Sequence, residues 1–245
     1  MLALHPAFIP KKHYLGTGII LAKPYSKAKT QPTKMNLFLR AKHWQLFLLT
    51  FGIPMVLYII VMAGIFSNIM HHPNQPPDPR EIFGYFKLFP FIMVLFTGTL
   101  LGWEYSVAVG LQKIVPAHIK MKVTKFKTFF FIPVTYLSLI VIFIFVILTT
   151  NFSHTGAADF GPLFFIPFLI IIPIHLFSMF CLFYCLYFVA KTLKTVELQR
   201  EVSFNDFIAE FFLTWFFPIG VWILQPRINK MIKEYDNKDE NTSQD

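Results

Sequence analysis

The side chains that could do chemistry are few, and most lie within or beside long apolar runs. His175, Cys181 and Cys185 fall on one stripe of a predicted helix, together with Ser178. Histidine and cysteine are ligands that soft metals prefer, so this stripe is a candidate metal or haem site. One straight helix, however, cannot close a tetrahedral site without ligands from other elements. We therefore favour a polar packing seam and predict no metal ligand and no cofactor.

Acidic residues offer a second kind of site. Glu104 follows the second apolar run, and Asp206 and Glu210 are spaced four residues apart near the C-terminus. Ionisable residues at the edges of membrane segments are candidates for function. Asp206 and Glu210 have two interpretations: they bind a cation or pair with loop lysines, or they stabilise the N-terminus of a helix. We favour the second.

Motifs typical of enzymes do not occur in the chain. The sequence contains no P-loop, no His-Glu-x-x-His, no Gly-x-Ser-x-Gly and no Cys-x-x-Cys. Cys181 and Cys185, four residues apart on a helix, are poorly placed for a disulfide. We therefore predict a protein that is not an enzyme and has no catalytic residues.

The elements that carry these residues are predicted to be membrane helices. Hydrophobic residues make up 55% of the 245 residues and charged residues only 14%, whereas a soluble domain carries about 25% charged residues. A water-soluble globule is thereby excluded. The deficit lies in four apolar runs long enough to span a bilayer. The predicted fold is all-α and polytopic, with transmembrane helices at about 46–66, 83–103, 128–149 and 163–190.

Glycine and proline positions add detail to these helices. Gly52 and Pro54 predict a bend in the first helix. Gly98 and Gly102 form a small-xxx-small pair, which permits close approach of a second helix. Pro133 lies near the predicted start of the third helix.

The last apolar segment, 204–224, is predicted to be a Pro-broken re-entrant segment, with a short fifth span as the alternative. Ser203 and Asp206 have the spacing of a capping box, and Val202 can pack on Phe207. The fully apolar part, 211–224, covers roughly 21 Å, which is less than the ~30 Å hydrocarbon core. Helix breakers interrupt it at Pro218 and Gly220.

Lysine and arginine are distributed very unequally between the predicted connections. Sixteen of them fall before the first helix, in 104–127 and in 191–206, against one in 68–82 and none in 151–162. The positive-inside rule then predicts a cytoplasmic N-terminus, and a re-entrant segment predicts a cytoplasmic C-terminus. The abundance of Phe, Ile, Lys and Asn suggests AT-rich codons and a bacterial inner membrane.

Three regions are predicted along the chain. Residues 1–34 form a basic, disordered extension, and Met35 is an alternative start site. Residues 35–230 form a single helical membrane domain, and 231–245 form a polar cytoplasmic tail that is too polar to fold alone.

Two stretches resemble the permease subunits of ABC-2-type exporters. "LRAKHWQLFLLTFGIPMVL" (39–57) is similar to the basic stretch that leads into their first helix. "WEYSVAVGLQKIVPAHIKMKVTKFK" (103–127), with Glu104, Lys113 and Pro116, is similar to their cytoplasmic coupling segment. The resemblance implies a soluble ATPase partner, although that family has six spans. The ending "FFPIGVWILQPRIN" (216–229) resembles small uncharacterised bacterial multi-pass inner-membrane proteins, which is the better resemblance overall.

We expect a non-enzymatic integral membrane protein that serves as an interaction or accessory subunit of a membrane complex. Its contact surfaces would be the segment 104–127 and the re-entrant segment. The alternative is the permease subunit of an ATP-driven exporter. Expected partners are anionic lipid headgroups and other membrane proteins or a second copy of the chain, with a soluble ATPase under the alternative. Nucleic acid is not needed to explain the positive charge.

Overall fold

The computed structural model describes residues 36–71, 84, 86–154 and 165–242, which belong to the unit Lys34–Asp245. The predicted extension 1–34 lies outside the described residues. Within these ranges the chain is helical and contains no strand, so the predicted all-α class is confirmed. The helices are α1 (Asn36–Arg40), α2 (His43–Phe47), α3 (Ile53–His71), α4 (Phe89–Gly110), α5 (Val123–His154), α6 (Phe165–Leu198), α7 (Phe204–Trp215) and α8 (Phe217–Thr242).

Four helical stretches are long and apolar enough to cross a membrane, in agreement with the four predicted spans. They are His43–His71, Phe89–Lys113, Val123–Val146 and Ile171–Leu198. Their ends differ from the prediction on one side of the bundle: α4 runs on to Gly110, α5 begins at Val123 and α6 continues to Leu198. The prediction ended the second span at Trp103, and it placed the start of the third and the end of the fourth next to lysines. The helices continue because buried residues such as Leu111 and Val196 pack them into the core.

The first span contains the distortion that Gly52 and Pro54 predicted. A π-helical turn, Leu48–Gly52, joins α2 to α3, and the Ile53 N–H donates to the Leu48 carbonyl. Pro54 has no N–H, and its ring needs room one turn back. The wider π turn supplies that room.

The two ends of the bundle differ in packing. The end formed by Arg40, residues 111–127 and residues 191–203 is called the basic end below. Most of the large buried side chains lie towards it, among them Trp103, Val107 and Phe126. The opposite end, called the far end, exposes apolar side chains on α3, α5 and α6, which is typical of surfaces that face lipid.

The last two helices form a hairpin. Phe216 leaves the helical conformation at φ −88°, ψ 55°. Arg227 contacts Glu210 although the two are 17 residues apart, which would be roughly 25 Å along a straight helix. The chain therefore turns back on itself, and neither α7 nor α8 is among the candidate spans of the described residues.

The position of the break was predicted wrongly. The break lies at Phe216, and Pro218 sits in the first turn of α8, where proline is tolerated because no N–H is needed. The polar tail predicted from residue 231 continues α8 as far as Thr242, and its Asp236 pairs with Arg40 of α1 at 2.9 Å.

Candidate functional site

The start of α7 is fixed by the predicted capping box. The backbone N–H of Ser203 donates to Asp206 Oδ2 at 2.8 Å, and the Ser203 hydroxyl donates to the same oxygen at 3.0 Å. Arg200 donates to Asp206 Oδ1 at 3.0 Å. The hydrogen bond from Arg200, then those from Ser203, lower the pKa of Asp206 to about 2. Asp206 therefore has the favoured role, stabilising a helix N-terminus.

The predicted contact between Val202 and Phe207 is also confirmed. Both side chains are buried in a small cluster with Ala190 of α6. This cluster holds the first turn of α7 against α6 and sets the direction in which the hairpin leaves the basic end.

Four charged residues meet where α6, α7 and α8 come together, and they are called the ionic ring. Arg227 Nη2 lies 2.6 Å from Glu197 Oε2 and 2.7 Å from Glu210 Oε1. Lys194 Nζ lies 3.0 Å from the same Glu197 oxygen and 3.2 Å from the same Glu210 oxygen. Two positive and two negative charges thus alternate, and the ring joins three helices.

Glu210 is the most buried member of the ionic ring, with its side chain only 4% exposed. Burial by itself would raise the pKa of Glu210, but hydrogen bonds from Arg227 and Lys194 outweigh it and hold the pKa below its usual range. Its other oxygen, Oε2, has no hydrogen-bond partner among the described residues. The favoured interpretation is therefore wrong for Glu210, which lies beyond the first turn of α7 and pairs with Lys194 and Arg227 on neighbouring helices.

A second junction, called the amide hub, was not predicted from the sequence. Gln225 of α8 is fully buried, and its Oε1 accepts from Trp103 Nε1 at 2.7 Å. Its Nε2 lies 3.1, 3.1 and 2.9 Å from the carbonyl oxygens of Phe38, Leu39 and Ala41. The carbonyls of Phe38 and Leu39 belong to the last residues of the short helix α1, which leaves them without intrahelical partners, and Ala41 follows the end of α1. The available signal was an amide, Gln225, directly after the apolar part 211–224.

Gly220 permits the close crossing of the hairpin. A β-carbon on Gly220 would overlap the carbonyl oxygen of Leu213 in α7. The sequence predicted a helix break at Gly220. In the structure Gly220 lies within α8, and its lack of a side chain allows two backbones to approach closely.

The predicted stripe on α6 is divided between two environments. Ser178, Cys181 and Cys185 are buried, as a packing seam would be, and both cysteines are free thiols. His175 is exposed, with its Nδ1 3.1 Å from the Tyr136 hydroxyl on α5. Among the described residues there is no group of three or more His, Cys, Asp or Glu side chains arranged to hold a metal ion.

Glu104 lies inside the bundle on α4. Its side chain is buried, and its Oε2 has no hydrogen-bond partner within the described ranges. Cys185 of α6 is close enough to interact with it electrostatically. Glu104 therefore faces the protein interior and does not belong to the exposed part of the segment 104–127.

Lysines cover the surface of the basic end between α4 and α5, and this set is called the lysine surface. Its members are Lys113, Lys120, Lys122, Lys125 and Lys127, and all are exposed. In the described part of the chain no carboxylate forms an ion pair with any of them. Lys125 lies over the rings of Phe129 and Tyr184, at 5.4 and 5.1 Å from their centroids.

Lys113 also borders a surface cavity of about 530 Å³ between the end of α6 and α8. Glu197 and Arg227 of the ionic ring lie in the same lining. The lysine surface and the ionic ring thus meet at this cavity, which brings Lys113 and the hairpin to one face of the molecule.

Comparisons of the chain with protein-family models, with curated proteins and with solved structures found no match.

Proposed function

We propose that the protein is an integral membrane protein that acts as a non-enzymatic interaction or accessory subunit of a membrane complex. Its contact face would be the lysine surface together with the α7–α8 hairpin. The basic end would face the cytoplasm of a bacterial cell, in accord with the positive-inside rule. Four apolar helices support the membrane location.

The observation that carries this proposal is the division of the cations into two groups. Lys194 and Arg227 make ion pairs that join helices, and Arg200 pairs with Asp206 at the start of α7. The five lysines of the lysine surface have no such pairs within the described residues and are exposed on a well-packed end. A fixed cationic surface attracts an acidic partner and orients its approach.

Copurification from the native membrane tests the proposal. Lys113, Lys120 and Lys122 are replaced together by Glu, and in a matched control the same three are replaced by Arg. We expect a stoichiometric membrane partner that is retained by the wild type and the Arg variant and lost from the Glu variant. Retention of the partner by the Glu variant, or no partner in any of the three, would contradict the proposal.

The alternative function is the permease subunit of an ATP-driven exporter. It is supported by the exposure of Lys113, Lys120 and Lys122 in the connection between α4 and α5, where a soluble partner can reach them. The same copurification separates the two functions. A soluble ATPase lost only from the Glu variant would favour the permease, whereas a membrane partner alone favours the accessory subunit.

The proposed orientation has its own test. A protease-cleavable tag after residue 245 is probed in intact and permeabilised cells. We expect cleavage only after permeabilisation, because α8 returns to the basic end. Cleavage in intact cells would place the basic end outside and remove the basis for a cytoplasmic partner.

A further inference from the structure

A groove of about 740 Å³ runs between α4 and α5 on the side of the bundle. Phe38 of α1 borders it, packed over Gly102 of α4. The sequence predicted a close helix contact at Gly98 and Gly102. Gly102 makes one, with Phe38 of α1, whereas no atom of the described residues lies within 4 Å of a β-carbon placed at Gly98. Gly98 therefore leaves space open and forms part of the groove.

The size of the groove fits one hydrocarbon chain. Along α5 it extends from Phe130 to Ile142, twelve residues or roughly 18 Å. One leaflet of a bilayer has about half of the ~30 Å hydrocarbon thickness. The groove thus covers the depth of a single leaflet, namely the leaflet on the side of the basic end.

The lining is apolar, and positive charge stands at one end of it. Among the residues that line the groove none is acidic, and the polar ones are hydroxyl-bearing side chains such as Ser106 and Ser138. Lys127 lies one helical turn before Phe130 and Phe131 on the same face of α5. It is exposed and has no ion-pair partner among the described residues.

We propose that the groove binds an anionic phospholipid, with one acyl chain between α4 and α5 and the phosphate beside Lys127. The depth of the groove matches the acyl chain, and the lysine matches the headgroup. This site shares Lys127 with the contact face proposed above and does not depend on a protein partner.

A second copy of the chain is a poorer occupant. The chain carries a formal net charge of +9, so a second copy would bring further positive charge towards Lys127. A helix is about 10–12 Å across with its side chains, whereas an acyl chain is narrower and needs less room between α4 and α5.

Native mass spectrometry of the protein in detergent tests the site with two lipids of identical acyl chains, phosphatidylglycerol and phosphatidylcholine. Gly98→Leu fills the groove without a clash, and leucine favours a helix more than glycine does. Its matched control is Gly84→Leu, also in open space but outside the groove.

A second pair of variants tests the headgroup contact. Lys127→Gln removes this contact, and its control Lys87→Gln removes one lysine at the far end. Far-ultraviolet circular dichroism checks that every variant is folded.

We expect the wild type to retain phosphatidylglycerol at least five-fold more tightly than phosphatidylcholine. Gly98→Leu should weaken the binding of both lipids about ten-fold, and Lys127→Gln should reduce the preference for phosphatidylglycerol about five-fold, as expected for one lysine at an anionic headgroup. The two controls should bind like the wild type. Equal retention of both lipids by the wild type would overturn the proposal. A dimer that Gly98→Leu converts to a monomer would overturn it in favour of a second copy.

Discussion

The basic end and the far end of the bundle are held together by different means. At the basic end, the ionic ring and the amide hub join α1, α4, α6, α7 and α8 through side-chain hydrogen bonds. At the far end, α3, α5 and α6 present apolar side chains outward. Between the two ends, Tyr136 and His175 make an exposed contact between α5 and α6. In lipid there is little hydrophobic drive for helices to associate, so polar contacts and close backbone approach decide where they do. The difference indicates that the fold is specified mainly at the basic end.

The largest expected effect comes from Gly220→Ala. The added methyl group would overlap the Leu213 carbonyl, which is backbone and cannot rotate away. We expect the free energy of unfolding to fall by about 3 kcal/mol or more, which is the upper end of the range usual for overpacked cores. The midpoint of thermal unfolding in detergent measures it. Gly98→Ala is the control, because its methyl group enters open space and should leave the midpoint unchanged or slightly raised. If both variants unfold alike, the crossing of the hairpin is not a point of close packing.

Gln225→Leu should have the next largest effect. It leaves the Trp103 N–H and the carbonyls of Phe38 and Leu39 without the amide, and each unsatisfied buried group costs about 1–3 kcal/mol. The carbonyl of Ala41 keeps its hydrogen bond from Asn229. We expect a loss of about 2–3 kcal/mol after some relaxation. Tyr136→Phe removes the exposed contact between α5 and α6 near the middle of the bundle and should cost less than about 0.5 kcal/mol. Equal losses for the two would show that the amide hub contributes no more to stability than an exposed contact does.

Arg227→Gln tests the ionic ring. It removes the shortest contact to Glu210, whose carboxylate is buried, and leaves Lys194 as the remaining cation. We expect a loss of about 2 kcal/mol, less than for a fully buried pair that loses its only partner. Arg40→Gln is the control, since its pair with Asp236 is 62% and 42% exposed, and exposed pairs contribute about 1 kcal/mol or less. A greater loss for Arg40→Gln would contradict the importance given to the ring.

The smallest effect is a pH dependence at the start of α7. The pKa of Asp206 is lowered from 3.8 to about 2 in the folded protein, so its stabilising contribution is present above pH 3.8 and is lost as the pH falls towards 2. Asp206→Asn should therefore unfold at a lower temperature than the wild type at pH 5, and at nearly the same temperature at pH 2. Thermal unfolding at the two pH values gives this comparison. A difference that stays constant with pH would show that the carboxylate is not used in its charged form.

Local patterns gave the correct prediction where local chemistry decides the structure. The four spans follow from the length of the apolar runs, and the start of α7 follows from Ser203 and Asp206, three residues apart. The turn back of the last segment followed from its short apolar length and its helix breakers. The predicted position of the break was two residues off, because a proline acts on the residues before it.

Contacts between distant parts of the chain could not be predicted from the sequence. Gln225 meets Ala41 across 184 residues, and Arg227 meets Glu197 across 30. Such pairs depend on how the helices pack, which hydropathy does not encode. The helix ends were missed for the same reason: Val107, Leu111 and Val196 are buried against neighbouring helices beyond the predicted limits.

The amide hub has a consequence for biosynthesis. A ribosome that adds 5–20 residues per second needs roughly 10–40 s to reach Gln225 after it has made Ala41. Throughout that interval the Phe38 and Leu39 carbonyls of α1 lack the amide that they bond in the finished protein. The amino-terminal lead-in can already pack on α4, where Phe38 lies over Gly102, but a nascent chain released before residue 225 would leave these carbonyls without that partner.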